Sequence, residues 1–181
     1  MAERTILAGF GGQGVMLMGQ LLTYAGMLED KQVTWLPSYG PEMRGGTANC
    51  TVMMDEEAIG SPVISKNATS IIVMNQPSLF KFEEDLVPGG VCLINSSLID
   101  AKPTRDDIKA VYVPSNEIAA ELGNMRVANI VMLGAFVELT GAVKKESVLE
   151  ALSEKLGASK AHLMEINEKG FEKGAEAVKQ Q

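Results

Sequence analysis

Three features of this 181-residue sequence predict an α/β fold of three layers, α/β/α, with a mostly parallel sheet in one domain covering residues 1–181. The opening 35 residues alternate strand, turn, helix and strand in the manner of a βαβ unit. The later strand candidates are continuous apolar or β-branched runs rather than alternating ones, as strands are when both faces are covered. Hydrophobic content of 46% supplies enough apolar surface for one core, and the length is short for two ordinary domains.

Taken in order, the first strand is the apolar run Thr5 to Ala8, followed by a glycine turn and a helix from Val15 to Leu28. A second strand, Val33 to Leu36, runs into Pro37 and Ser38. Further strands are expected at Thr47 to Met54, Ser70 to Met74, Gly90 to Ile94 and Ala110 to Val113. The covering helices are expected at Pro77 to Leu86, Asn116 to Leu122, Val127 to Leu139, Lys145 to Leu156 and Ala161 to Val178. Gly141 and Gly157 stand where helices should stop, and Pro77, Pro88 and Pro114 punctuate element edges. From Lys144 onward seven Lys balance seven Glu, and Leu163, Ile166 and Phe171 recur at helical spacing, so these segments read as helices with solvated faces.

Charge and composition narrow the chemistry. A formal charge of −7 without a local Lys/Arg cluster repels phosphate backbones, so no nucleic acid partner is expected. The apolar stretch Val127 to Leu139 falls short of the roughly 20 residues of a membrane span, and the N-terminus lacks the layout of a secretory signal. A cytoplasmic protein without membrane contact is expected. Cys50 and Cys92 each lie inside an apolar run, and His162 stands alone among Lys and Glu. An iron–sulfur cluster generally takes four thiolates and a zinc site about four Cys or His ligands, so no metal site and no catalytic residue is assigned.

Two motifs carry information. Gly9-Phe10-Gly11-Gly12-Gln13-Gly14 follows a strand and opens a helix, which satisfies G-x-G-x-x-G in the Rossmann-like setting that motif needs. Its glycines permit positive φ and close backbone approach, and the helix N-terminus offers free N–H groups to an anion. Gly9, Gly11, Gly12, Gln13 and Gly14 are therefore candidate cofactor-binding residues. The ribose-binding acid that a dinucleotide fold places after its second strand is missing, because Glu29 and Asp30 precede that strand. The second motif is Ser38-Tyr39-Gly40-Pro41-Glu42-Met43-Arg44-Gly45-Gly46, at the carboxyl edge of the sheet beside the glycine loop. Tyr, Met and Arg are enriched at interface cores, so Tyr39, Gly40, Pro41, Glu42, Met43, Arg44, Gly45 and Gly46 are candidate interface residues. Arg44 is also a candidate clamp for a carboxylate or phosphate through its forked guanidinium.

The pair of motifs, G-F-G-G-Q-G-V and then Y-G-P-E-M-R-G-G, resembles the gamma subunit of 2-oxoacid:ferredoxin oxidoreductases. The segments Ser70 to Gln76 and Arg126 to Ala135 also look like that family, so the resemblance spans most of the chain. It implies a subunit of an enzyme that decarboxylates a 2-oxoacid oxidatively, reduces ferredoxin and releases an acyl-coenzyme A. The family's thiamine diphosphate, magnesium and iron–sulfur clusters would reside in alpha, beta and delta partner subunits and none in this chain, which would contribute an assembly surface and help to hold coenzyme A. Two alternatives are the gamma-like part of an indolepyruvate oxidoreductase and a stand-alone nucleotide-binding protein. In isolation the glycine-rich surface is a candidate for pairing into a homodimer. Overall similarity favours 2-oxoglutarate or a branched-chain 2-oxoacid over pyruvate as substrate.

Overall fold

A computed structural model describes residues 2–39 and 46–179, the side chain of Tyr39 excepted. The strands are β1 (Glu3–Phe10), β2 (Gln32–Tyr39), β3 (Thr47–Asp55), β4 (Ala68–Val73), β5 (Leu86–Asn95) and β6 (Lys109–Val113). The helices are α1 (Val15–Leu28), α2 (Gln76–Phe82), α3 (Ser115–Glu121), α4 (Ala128–Thr140), α5 (Lys145–Leu156) and α6 (Met164–Lys179). The strands form one sheet in the order β2-β3-β1-β4-β5-β6. β4, β5 and β6 run parallel to β1, and β3 runs antiparallel to both β1 and β2, so the sheet is mostly parallel as expected.

The position of β3 departs from a plain βαβ succession. It lies between β1 and β2, pairing Phe10 with Thr47 on one side and Tyr39 with Ala48 on the other. The connection from β2 to β3 is too short for the crossover of a dozen or more residues that parallel neighbours need, so these strands meet antiparallel. β2 also continues through Pro37 to Tyr39, beyond the expected end at Leu36. It is an edge strand, the place where a ladder tolerates proline. Pro88 likewise lies within β5, beside a register shift between Ala68 and Ser70, and does not mark the strand's end. The helix expected to run to Leu86 becomes a 3-10 turn at Glu83–Asp85, and residues Ala158–Leu163 form another before α6.

The two faces of the sheet are covered unequally. α1, α4, α5 and α6 bury one face around Leu7, Ile72, Leu93, Val111 and Phe136. The other face, around Ile6, Ile71, Val73 and Ile94, is covered by α2 and by loops, with Leu79 and Ile99 as their main contributions. α4 is buried at every residue from Ala128 to Val137, as a helix apolar all round must be. Its backbone meets that of α6 directly: a Cβ on Gly134 would overlap the carbonyl of Phe171, and one on Gly174 the carbonyl of Val131. Among the described residues no helix is long and apolar enough to cross a membrane.

Candidate functional site

β1 ends at Phe10 on the carboxyl edge, and four residues later the chain has reversed into α1. Gly12 and Gly14 take φ of 99° and 77°, the left-handed region that favours glycine, and Gly14 is the N-cap of α1. Gln13 holds this turn together: its Oε1 accepts from Phe10 N at 2.6 Å and its Nε2 donates to Met74 O at 3.0 Å. Gly9 lacks a side chain for the same reason, since a Cβ there would lie 2.6 Å from Gln13 Oε1 and 2.8 Å from Met74 Cβ. Met18 N makes the first helical bond, to Gly14 O at 3.0 Å, so the N–H groups of Val15, Met16 and Leu17 stand at the positive end of α1 without helical acceptors.

The expected site residues divide as follows. Gly9, Gly11, Gly12, Gln13 and Gly14 come together in this one turn. Gly11 N donates to Gly46 O at 3.0 Å, which joins the first motif to the end of the second. Tyr39 closes β2 opposite Ala48. Gly40, Pro41, Glu42, Met43, Arg44 and Gly45 lie outside the described residues. Gln13 spends its amide on the loop itself, which makes it a brace of the site.

Beside the turn, where the connections from β1 and β4 leave for opposite sides of the sheet, lies a cavity of about 410 Å³. Such switch points are where ligands of open α/β sheets gather. Leu17, Met74 and Met125 give it apolar walls, and Asn116, Arg126 and Asn129 give it polar ones. Among the described residues Arg126 is its charged lining residue, and no Asp or Glu joins it, although acids outnumber bases in the chain by 23 to 16. The 3-10 turn Met125–Val127 that leads into α4, capped by Asn124 through Arg126 N at 3.0 Å, therefore brings a guanidinium to the glycine turn. Asn129 reaches across to Gly14 O with its Nδ2 at 3.4 Å, and a Cβ on Gly14 would sit 2.7 Å from Asn129 Cγ. The third glycine of the motif thus makes room for a residue 115 positions away.

Arg126, Asn129 and Asn116 were not among the expected site residues. Arg126 and Asn129 show in the sequence only as two polar side chains around the start of an apolar helix, and Asn116 as one polar residue at the start of another, which reads equally well as the edges of core elements. Glu29, the acid nearest to a ribose ligand in sequence, is far from the turn, because α1's 14 residues carry it about 20 Å to the amino edge. There it accepts from Lys144 N at 2.6 Å and pairs with Lys31 at 3.0 Å, tying α1 to the turn before α5.

The donor set does not fit an iron–sulfur cluster or a structural metal. Cys50 and Cys92 pack into cores on opposite faces of the sheet. Burial pushes the Cys50 thiol up to about 11 and the Cys92 thiol to about 12, away from the thiolate a metal takes. Among the described residues no group of three or more His, Cys, Asp or Glu is placed to hold a metal ion.

Comparison with known proteins adds the following. A family model described as pyruvate ferredoxin/flavodoxin oxidoreductase matches residues 4–177. The chain is 40% identical over 175 residues to the ketoisovalerate oxidoreductase subunit VorA of Methanothermobacter thermautotrophicus, which covers 96% of this chain but only 36% of that relative's length. It is 35% identical over 185 residues to the 2-oxoglutarate synthase subunit KorC of Methanocaldococcus jannaschii, covering 99% of this chain and 96% of the relative. Among solved structures, the gamma subunit of a keto/oxoacid ferredoxin oxidoreductase from Geobacter sulfurreducens superposes with a TM-score of 0.83 at 30% identity, over 99% of each chain.

Proposed function

Since the chain belongs to the pyruvate ferredoxin/flavodoxin oxidoreductase family, we propose that it is the gamma part of a cytoplasmic 2-oxoacid:ferredoxin oxidoreductase, one unit over residues 1–181. The observation that carries this reading is the end-to-end correspondence with KorC, a subunit of about the same length. In the complex, oxidative decarboxylation of the 2-oxoacid and electron transfer to ferredoxin take place on thiamine diphosphate, magnesium and iron–sulfur clusters of the alpha, beta and delta chains. This chain supplies a docking surface, Tyr39 to Gly46, and a place for coenzyme A. The relatives favour a branched-chain 2-oxoacid or 2-oxoglutarate as substrate, since VorA is named for the first and KorC for the second.

The coenzyme A reading is supported by the glycine turn and by the cavity beside it, whose described lining carries Arg126 and no acid. A phosphorylated ligand suits a helix N-terminus, an exposed guanidinium and backbone that glycine allows to be approached closely. Gly9, Gly11, Gly12 and Gly14 shape that approach, Gln13 braces it, and Arg126 together with Arg44 offers the counter-charge.

Anaerobic purification of the tagged chain with its partners tests the assembly, followed by viologen reduction with each 2-oxoacid and coenzyme A. The isolated chain should be inert and the complex active; turnover by the lone chain would overturn the reading. Titration calorimetry of the complex tests the ligand site. Gly12→Asp and Arg126→Ala should each weaken coenzyme A binding about tenfold or more, and unchanged affinity in both would remove the site from this chain.

A further inference from the structure

An α/β sheet of this kind normally has both faces covered by helices, because its strands are apolar on both sides. Among the described residues no helix packs on the second side of β2 and β3. The helix that packs on them is α1, and it takes the face bearing Trp35, Cys50, Val52 and Met54. The strand register places Thr34, Leu36 and Ser38 of β2 beside Met53, Thr51 and Asn49 of β3 on the other face. Among the described residues the loop after β3 covers part of that face, with Thr51 Oγ1 donating to Pro62 O at 3.4 Å and Ala58 to Ser61 beside Met53. Thr34 Oγ1 is buried, so that the open part is centred on Leu36 and Ser38. Leu36 remains 42% exposed and Val63, next to Pro62, 58%.

This open face and the strand edge beside it carry no charge. None of the six residues on it is Lys, Arg, Asp or Glu, and neither is any residue of the edge strand Gln32–Tyr39, in a chain that is 22% charged. Free edges and sheet faces are ordinarily guarded by charged side chains, while interface cores are depleted of them. The face is also continuous with the proposed docking segment, since β2 leads directly into residue 40 and β3 begins directly after residue 46.

The occupant follows from the relatives. In VorA this same fold makes up 36% of a longer polypeptide, whereas KorC is nearly all accounted for by it. We propose that the open face of β2 and β3, with the β2 edge, docks a separate polypeptide corresponding to the part of VorA outside the matched region. This rests on the gamma-subunit reading and adds to it the surface and the partner.

The test uses the full chain, alone and in the complex purified anaerobically with its partner subunits, the partner being identified by mass spectrometry. Amide hydrogen exchange in Gln32–Ser38 should slow about tenfold or more in the complex. Leu36→Glu and Ser38→Arg should weaken partner affinity about tenfold or more while keeping the wild-type circular dichroism and Trp35 emission. If the wild-type chain gathers oxidoreductase subunits but β2 exchange is unchanged and both variants assemble normally, this inference fails and the gamma-subunit reading stands. If the wild-type chain gathers no such subunit, both fail. If the chain alone forms a dimer that Leu36→Glu dissolves, the occupant is a second copy and the proposal is overturned.

Discussion

Replacing Gly174 by alanine adds one methyl group where α6 crosses α4. That methyl carbon would overlap the Val131 carbonyl oxygen and lie 2.7 Å from its carbon and 3.0 Å from its Cα, whereas ordinary contact begins near 3.4 Å. The obstacle is backbone inside a helix buried along its whole first ten residues, so no side-chain rotation relieves it. Overpacking of a core costs about 1–3 kcal/mol, and an immovable neighbour places this case near 3. Alanine recovers about 1 kcal/mol of helix propensity over glycine, leaving a net loss of about 2 kcal/mol. In a chain of this size that lowers the thermal midpoint by about 4–8 °C. Gly170, one turn earlier in α6, is the internal control: a Cβ there would meet Val127 side-chain atoms at 3.4 Å, an ordinary contact. Gly170→Ala should therefore hold or raise the midpoint. Melting curves at 222 nm for the two variants decide it, and a Gly174→Ala protein as stable as wild type, or equal losses at both sites, would refute the packing account.

Gln13→Ala strips the Phe10 N–H and the Met74 carbonyl of their partner, so unfolding free energy should fall by about 2 kcal/mol and amide exchange across residues 9–14 should accelerate; unaltered exchange would deny Gln13 its bracing role. Burial by itself pushes the Glu29 carboxyl up, but the Lys144 N–H and the Lys31 ammonium more than offset that and hold it below its usual 4.5. A depressed folded value means stability that is full above about pH 4.5 and is lost as pH falls through the folded pKa. Glu29→Gln should therefore cost about 1–2 kcal/mol at pH 7, with the deficit shrinking below about pH 4.5, and a pH-independent deficit would contradict this. With thiols at about 11 and about 12, Cys50 and Cys92 should react with an aromatic disulfide reagent at pH 8 only as fast as the protein unfolds; labelling at free-cysteine rates in native buffer would disprove their burial.

Much of this protein was legible locally. The boundaries of α1 and α5 fall where the sequence placed them, because Gly14 and Gly157 are glycines whose positive φ starts one helix and ends the other. The β1–turn–α1 unit needs only neighbours in sequence to exist: an apolar strand, glycines for the reversal, and a helix whose N–H groups face outward. Long-range pairing decided the rest. A strand's own residues do not say which neighbour it will join, so the insertion of β3 between β1 and β2, and with it one half-bare face, emerged only from the assembled sheet. The same holds for the cavity, whose Arg126, Asn129 and Asn116 lie more than 100 residues from the glycine turn. Local chemistry specifies where the backbone turns. Which side chains a turn meets depends on contacts among distant elements, and that information resides in the packed fold.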